Sequence, residues 1–252
     1  MRKFLLIAVL LFFVTAARAE QFENPMLNMT VPSGLDDGQA YLTLDGRFLQ
    51  SLHGYPKGDL FALLDNGVNF GINFRYMAGL GIEAKGGYIT NNREQFAGLS
   101  YALYAQKFFF NSQLDVQFFS YKNQTQPEYP QNLFYLLSLQ SVPFYEDRIT
   151  ASVDMGYDGY NSHIGLGLGL SYEIINHLRL LAEYYPLLKD SGTSPDMGNT
   201  GCYSFGVKFD TFGHQFILKA GNSVDVGTRR MMLGVKTQDV YIGLTVMRLI
   251  AF

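Results

Sequence analysis

Residues 163–172 read His-Ile-Gly-Leu-Gly-Leu-Gly-Leu-Ser-Tyr, so that every second residue from Ile164 onward is bulky and apolar. The residues between them are glycines or a serine. Alternation with a period of two is typical of a β-strand, because successive side chains of a strand point to opposite faces. This strand therefore presents one wholly apolar face to its surroundings.

The same alternation recurs along most of the chain, for example at residues 68–76, 149–157 and 203–209. The alternating segments run about nine to eleven residues, the length that a tilted strand needs to cross a bilayer. Backbone groups cannot stay unpaired in lipid, so a β-structure spans a membrane as a closed barrel. We therefore predict an all-β fold, a transmembrane antiparallel up-and-down β-barrel of about 12 strands. A soluble β-sandwich, whose half-buried strands also alternate, is the alternative. The predicted strands lie at roughly 40–52, 67–77, 80–89, 95–106, 114–121, 132–141, 148–157, 163–172, 178–187, 201–209, 214–221 and 239–250.

The connections between these strands alternate in length. Those after odd-numbered strands are mostly long and rich in Gly, Asn, Asp, Pro or Ser, and those after even-numbered strands are shorter. Outer-membrane barrels combine short periplasmic turns with longer outer loops, so the pattern predicts that both termini lie in the periplasm. The stretch from Thr228 to Lys236 fits least well, because it could form a further strand segment above the membrane.

Aromatic residues mark both ends of the outward-facing rows, as in the interfacial girdles of membrane barrels. The chain ends in Phe252, in step with the outward-facing Leu244 and Val246. This position predicts that Phe252 is an assembly signal for the barrel-assembly machinery. The girdle residues are Tyr76, Tyr172 and Phe209 at the predicted periplasmic end and Tyr88, Tyr157 and Tyr184 at the outer end.

The N-terminus has the pattern of a secretory signal peptide. Arg2 and Lys3 precede an apolar stretch at 4–14 that is too short to span a membrane, and Ala17-Arg18-Ala19 offers a cleavage site. We predict three regions, which are a signal peptide at 1–19, a short periplasmic N-terminal segment at 20–39 and the transmembrane β-barrel at 40–252.

The mature chain is acidic. The formal net charge is -3 and becomes -6 on cleavage, because the signal peptide contains three basic and no acidic residues. This balance does not favour nucleic-acid binding. Cys202 is the one cysteine, so no internal disulfide is available.

The inward-facing rows place ten charged side chains in the predicted lumen, five basic and five acidic. Arg75 and Glu83 flank the predicted tight turn at Ala78-Gly79, and we expect them to face each other across that hairpin. We also expect Glu183 and Lys208, on adjacent strands, to be coupled. The set forms either cross-strand ion pairs that satisfy the interior or the wall of a polar channel, and its balanced charge argues against strong ion selectivity. The candidate residues are Arg75, Glu83, Lys85, Asp115, Asp154, Arg179, Glu183, Lys208, Asp210 and Lys219.

Several stretches resemble an uncharacterised family of bacterial membrane-bound β-barrel domains. The resemblance is carried by 61–82, by Phe96-Ala-Gly-Leu-Ser-Tyr-Ala-Leu-Tyr104, by 212–223 and by Tyr241-Ile-Gly-Leu-Thr-Val-Met-Arg248. It implies a membrane barrel and no particular activity.

The sequence favours a non-enzymatic protein. It contains no G-x-S-x-G, H-E-x-x-H or C-x-x-C motif, and its four His residues lie far apart. We expect an outer-membrane barrel in contact with lipid, without cofactor or metal, that forms a passive or weakly selective channel for small solutes. A structural or partner-binding barrel is the alternative, and a membrane-embedded hydrolase a more distant one.

Overall fold

A computed structural model describes residues 26–32, 34–53, 66–103, 110–122, 129–188, 196–211 and 213–251, with the side chain of Leu103 excepted. The predicted signal peptide and Phe252 lie outside these residues. No helix in the described part of the chain is long and apolar enough to cross a membrane.

Twelve antiparallel strands close into one barrel, which confirms the predicted fold class. Each strand pairs with its neighbours in sequence, and the first strand pairs with the last from Gln39 opposite Ala251 to Arg47 opposite Gly243. The strands are β1 (Gln39–Phe48), β2 (Val68–Gly79), β3 (Ile82–Ile89), β4 (Glu94–Leu103), β5 (Phe110–Ser120), β6 (Gln131–Ser141), β7 (Ile149–Asp158), β8 (His163–Ile175), β9 (Leu178–Tyr185), β10 (Cys202–Thr211), β11 (His214–Gly221) and β12 (Tyr241–Ala251).

The barrel has two unlike ends. At the turn end, β8 joins β9 through two residues, and the start of β1 lies beside the end of β12. At the loop end lie the long connections after β1, β5, β9 and β11. The first tight turn is Leu80-Gly81 rather than Ala78-Gly79, because β2 continues to Gly79 through an irregularity after Met77. Leu80 and Gly81 both have positive φ, at 55° and 76°.

The outer surface is apolar and the inner surface polar, as the alternation predicts. Leu168 on β8 and Phe205 on β10 are 42% and 57% exposed, while the next residue inward on β10, Ser204, is fully buried. Tyr172 and Phe209 stand exposed near the turn end, and Tyr157 near the loop end.

A single short helix, α1 (Thr228–Met232), interrupts the connection between β11 and β12 in the described part of the chain. All five of its residues are buried, and it contacts β7 and β8 from inside the barrel. The suggested extra strand at Thr228 to Lys236 is therefore wrong, because this stretch turns into the lumen instead of rising above it.

The N-terminal segment also enters the lumen. Met26, Leu27, Met29, Val31 and Leu35 are each at most 5% exposed. The expectation of a periplasmic segment at 20–39 is thus corrected for its described part up to Leu35. A 12-stranded barrel is wider than its wall side chains can fill, and this segment occupies part of the remaining space.

Candidate functional site in the lumen

All ten charged residues that the sequence assigns to the lumen are buried on the inner face of the wall. Most are paired with a charged neighbour along the wall. Arg75 pairs with Glu83 across the first hairpin, and Lys85 pairs with Asp115. The remaining pairs are Arg179 with Glu173 at 2.6 Å, Lys208 with Asp210 at 3.2 Å and Lys219 with Asp45 at 2.7 Å.

Glu183 binds the N-terminal segment instead of a cation on the wall. Its Oε1 accepts hydrogen bonds from the backbone N–H groups of Leu27, Asn28 and Met29, at 2.7, 2.8 and 3.0 Å. Three successive N–H groups that converge on one anion form a backbone nest. The carboxylate is thereby satisfied without a salt bridge. Glu183 lies opposite Ser204 and Lys208 lies opposite Arg179, so the two are not direct cross-strand neighbours, and their coupling stays a prediction.

The side chain of Asn28 is the centre of the contacts between this segment and the wall. Its Nδ2 donates to Glu183 Oε2 at 2.8 Å and to Ser204 Oγ at 3.2 Å. Its Oδ1 accepts hydrogen bonds from Lys219 Nζ at 3.1 Å and Arg47 Nη2 at 3.3 Å. One amide therefore bridges an acidic and a basic side of the lumen.

Further along the segment, Thr30 N donates to Asp154 Oδ2 at 3.1 Å. The guanidinium of Arg75 lies 3.4 Å from the carbonyl of Val31. Asp154 and Arg75, both predicted lumen residues, thus help to hold the segment in place.

The connection between β11 and β12 is held in the lumen by two arginines of α1. Arg229 donates to Glu94 at 2.7 Å and to Asp158 at 2.6 Å, and Arg230 donates to Glu94 at 2.6 Å. The Arg230 guanidinium also stacks over the ring of Tyr121, 4.3 Å from its centroid. Although burial lowers the pKa of Arg229, its two carboxylate partners raise that pKa above the usual arginine value.

Both inserted segments rest on the glycines of β8. A Cβ atom at Gly165 would lie 2.4 Å from Cβ of Met232, and one at Gly169 would lie 2.0 Å from Cε of Met26. Such distances are shorter than van der Waals contact, so a side chain at either position would displace its neighbour. The glycine-rich inner face of β8 is therefore the surface against which both segments pack.

Methionines dominate this contact. Met26, Met29, Met231 and Met232 belong to one buried cluster together with Tyr185, which lies on the neighbouring β9. Met26 and Met29 come from the N-terminal segment and the other two from α1. The two inserted segments therefore share one apolar core inside a polar lumen.

Two cavities remain beside the inserted segments. An inner cavity of about 130 Å³ is lined by charged side chains that include Asp45, Arg75 and Lys85. An outer cavity of about 380 Å³ opens at the loop end. Arg230 is the residue that lines both cavities, so its side chain stands between them.

Sequence reasoning missed several of the residues that build this site. Asp45 and Arg47 could have been predicted from the sequence. They alternate along β1 with the outward-facing Leu42 and Leu44, so their side chains point inward. Asn28 and the arginines of α1 carry no such signal, since they lie outside the alternating segments.

The closed barrel, its apolar outer face and its polar, partly filled lumen define an integral membrane β-barrel of porin-like fold. The chain belongs to the family of membrane-bound beta barrel domains called DUF5777, which matches residues 64–249 and confirms the resemblance drawn from the sequence. No match was found among curated proteins.

Solved structures that this chain is similar to include two porins and another outer-membrane protein, all of very different sequence. The KdgM porin is 8% identical, with 83% of this chain and 98% of that chain covered and a TM-score of 0.52. At this identity the likeness shows the fold alone. The NanC porin is 6% identical, with coverages of 82% and 98% and a TM-score of 0.49. Omp33 of Acinetobacter baumannii is 8% identical, with coverages of 84% and 98% and a TM-score of 0.46.

Proposed function

We propose that the protein is a channel for small polar solutes in a bacterial outer membrane, and that the structure describes its closed state. In this proposal the loop end faces the outside and the turn end faces the periplasm. The observation that carries the proposal is the pair of cavities, each lined by both polar and apolar side chains, that meet at Arg230. The inner cavity lies between the inserted segments and the β1–β5 side of the wall, and the outer cavity continues from Arg230 to the loop end, so that together they mark a route past these segments.

The route is closed by groups that can move without breaking the barrel wall. The N-terminal segment and the β11–β12 connection are held by hydrogen bonds and ion pairs to inward side chains, and no strand of the wall depends on them for backbone pairing. Displacing either segment leaves the wall intact and widens the lumen. The charges of the wall are mostly paired with each other, which supports weak rather than strong ion selectivity.

Conductance in planar bilayers tests this function. The mature chain is compared with a variant that lacks residues 20–35, which removes the N-terminal segment and leaves β1 complete. We expect rare, small openings from the mature chain and a larger, steadier conductance from the variant. Silence from both chains, when both are inserted and folded, would contradict the channel.

A structural or partner-binding barrel is the second candidate, and the filled lumen favours it. The inner cavity of about 130 Å³ has room for a few water molecules and not for a solute stream. If the variant without residues 20–35 is as silent as the mature chain, this second function replaces the first.

A further inference from the structure

The outer cavity has the size of a small-molecule site. Its volume of about 380 Å³ lies within the range of ligand pockets, roughly 300–1,000 Å³. Its polar lining comes from four separate connections at the loop end. These side chains include Asn92, Tyr121, Asp196, Ser223, Asp225 and Thr237, and Tyr241 at the start of β12 adds to them.

The floor of this cavity is fixed by backbone pairing between two connections. Asn199 N donates to the carbonyl of Val235 at 2.8 Å, and Val235 N donates to the carbonyl of Thr200 at 2.9 Å. The close approach depends on Gly198, where a Cβ atom would lie 2.1 Å from Val235 N. The connection after β9 and the stretch after α1 are therefore joined at the cavity by an antiparallel β-bridge between Thr200 and Val235.

The walls are fixed by side-chain hydrogen bonds. Asn91 Nδ2 donates to Asp225 Oδ1 at 2.9 Å, and Asp225 N donates to Ser223 Oγ at 3.0 Å. Asn222 ties its own connection to the start of β10, because its Oδ1 accepts from Tyr203 N at 2.8 Å. A site with fixed walls spends little free energy on ordering when a ligand binds.

The charges around the cavity balance. Two carboxylates, Asp196 and Asp225, and two cationic side chains, Arg230 and Lys236, line the cavity, so the formal charges of its lining cancel. A charged ligand gains no net attraction from such a site. The lining does offer carboxylate acceptors, amide and hydroxyl groups, and the tyrosine side chains of Tyr121 and Tyr241, which together suit a molecule with many hydroxyl groups.

We propose that the outer cavity binds a small, uncharged, hydroxyl-rich solute of the size of one or two sugar rings. This inference rests on the proposed channel function and deepens it, since it assigns the solute class of the entry site. Binding precedes transport, however, so it is measured without any flux through the barrel.

Titration calorimetry on the detergent-solubilised mature barrel tests the inference. The probes are glucose and sucrose as neutral ligands, glucuronate as an anionic ligand and glucosamine as a cationic one. We expect a neutral sugar to bind at least as tightly as either charged sugar. Absence of binding by both neutral sugars, or tighter binding of a charged one, overturns the proposal.

Substitutions of Asp225 locate the binding. Asp225→Ala removes a carboxylate from the cavity, and we expect about tenfold weaker binding, as for the loss of a hydrogen bond to a charged group. Asp225→Asn keeps an acceptor oxygen and should retain more of the affinity than Asp225→Ala. Asp37→Ala, which removes an exposed carboxylate at the turn end, is the matched control and should bind as the parent does. Equal binding by all variants overturns the site.

The result of the sugar-binding test can be distinguished from the result of the conductance test. Sugar binding without conductance in any variant keeps the site and removes the channel. Conductance without sugar binding keeps the channel and removes the site.

Discussion

The side-chain hydroxyl of Thr228 donates a hydrogen bond of 2.8 Å to the main-chain carbonyl of Asn28, which lies 200 residues earlier in the chain. The same hydroxyl lies 3.0 Å from that of Thr30. Thr228 belongs to a connection at the loop end, whereas Asn28 belongs to a segment that enters from the turn end. One hydroxyl therefore joins the two segments that occupy the lumen.

Replacing Thr228 by Val should loosen both segments together. The change removes the hydroxyl but keeps the shape, so each segment loses a hydrogen bond worth about 1 kcal/mol. Hydrogen exchange measured by mass spectrometry should show faster exchange at 26–31 as well as at 222–235. Thr237→Val, at an exposed position beyond α1, should leave both stretches unchanged. Faster exchange at 222–235 alone would show that the segments open independently.

On the proposed channel function, Glu183→Gln should increase the fraction of time that the barrel conducts. The glutamine keeps one acceptor oxygen for the N–H groups of Leu27 to Met29, but it loses the negative charge that strengthens these hydrogen bonds. It also turns the acceptor of Asn28 Nδ2 into a donor. We expect several-fold more frequent openings in bilayers. Glu173→Gln, which affects an ion pair near the turn end, is the control and should conduct as the parent does. A decrease in openings would contradict the role of Glu183.

Gly165→Ala should displace α1 from the inner face of β8. The added methyl group would lie 2.4 Å from Cβ of Met232, which is backbone-anchored and cannot swing away as the tip of a side chain can. We expect faster proteolysis or exchange at 222–235 with the barrel still closed. Gly46→Ala is the matched control, because its nearest neighbours would lie 3.5 Å away. Equal rates of proteolysis or exchange in the two variants would argue against close packing of α1 on β8.

Cysteine labelling in a Cys202→Ala background tests which way the strands face. Leu168→Cys and Phe205→Cys should react with a membrane-soluble maleimide and resist a charged one, since both positions lie exposed on the outer surface. Lys208→Cys should resist both reagents in the closed state, because Lys208 is fully buried. Labelling of position 208 from the lipid phase would overturn the facing of β10.

The strands were predictable from sequence because one face of each strand contacts lipid and the other faces the polar lumen. In β8, glycine alternates with leucine, so one residue of known facing determines the facing of the whole strand. The same parity correctly places Lys208 and Glu183 on the inside. Parity does not set the stagger between neighbouring strands, which decides that Glu183 lies opposite Ser204. The ion-pair and hydrogen-bond partners of the lumen charges could therefore not be predicted from the sequence.

The insertion of the N-terminal segment and of α1 into the lumen could not be predicted from the sequence either. Asn28 lies in a short stretch without strand periodicity, and Arg229 lies in a connection that resembles an ordinary outer loop. Their positions follow from the space left by a 12-stranded wall and from the carboxylates that line it, Glu183 and Glu94. Both of these conditions exist only after the barrel has closed.

The methionine cluster beneath the two inserted segments determines how they fit. Thioether side chains are unbranched and adapt to irregular gaps, so contacts through Met26, Met29 and Met232 tolerate a sliding neighbour better than branched side chains do. The two inserted segments are therefore held in the lumen by an adaptable packing contact rather than by a rigid one. Oxidation of these methionines would disturb the contact, because a sulfoxide introduces a polar oxygen into an apolar cluster.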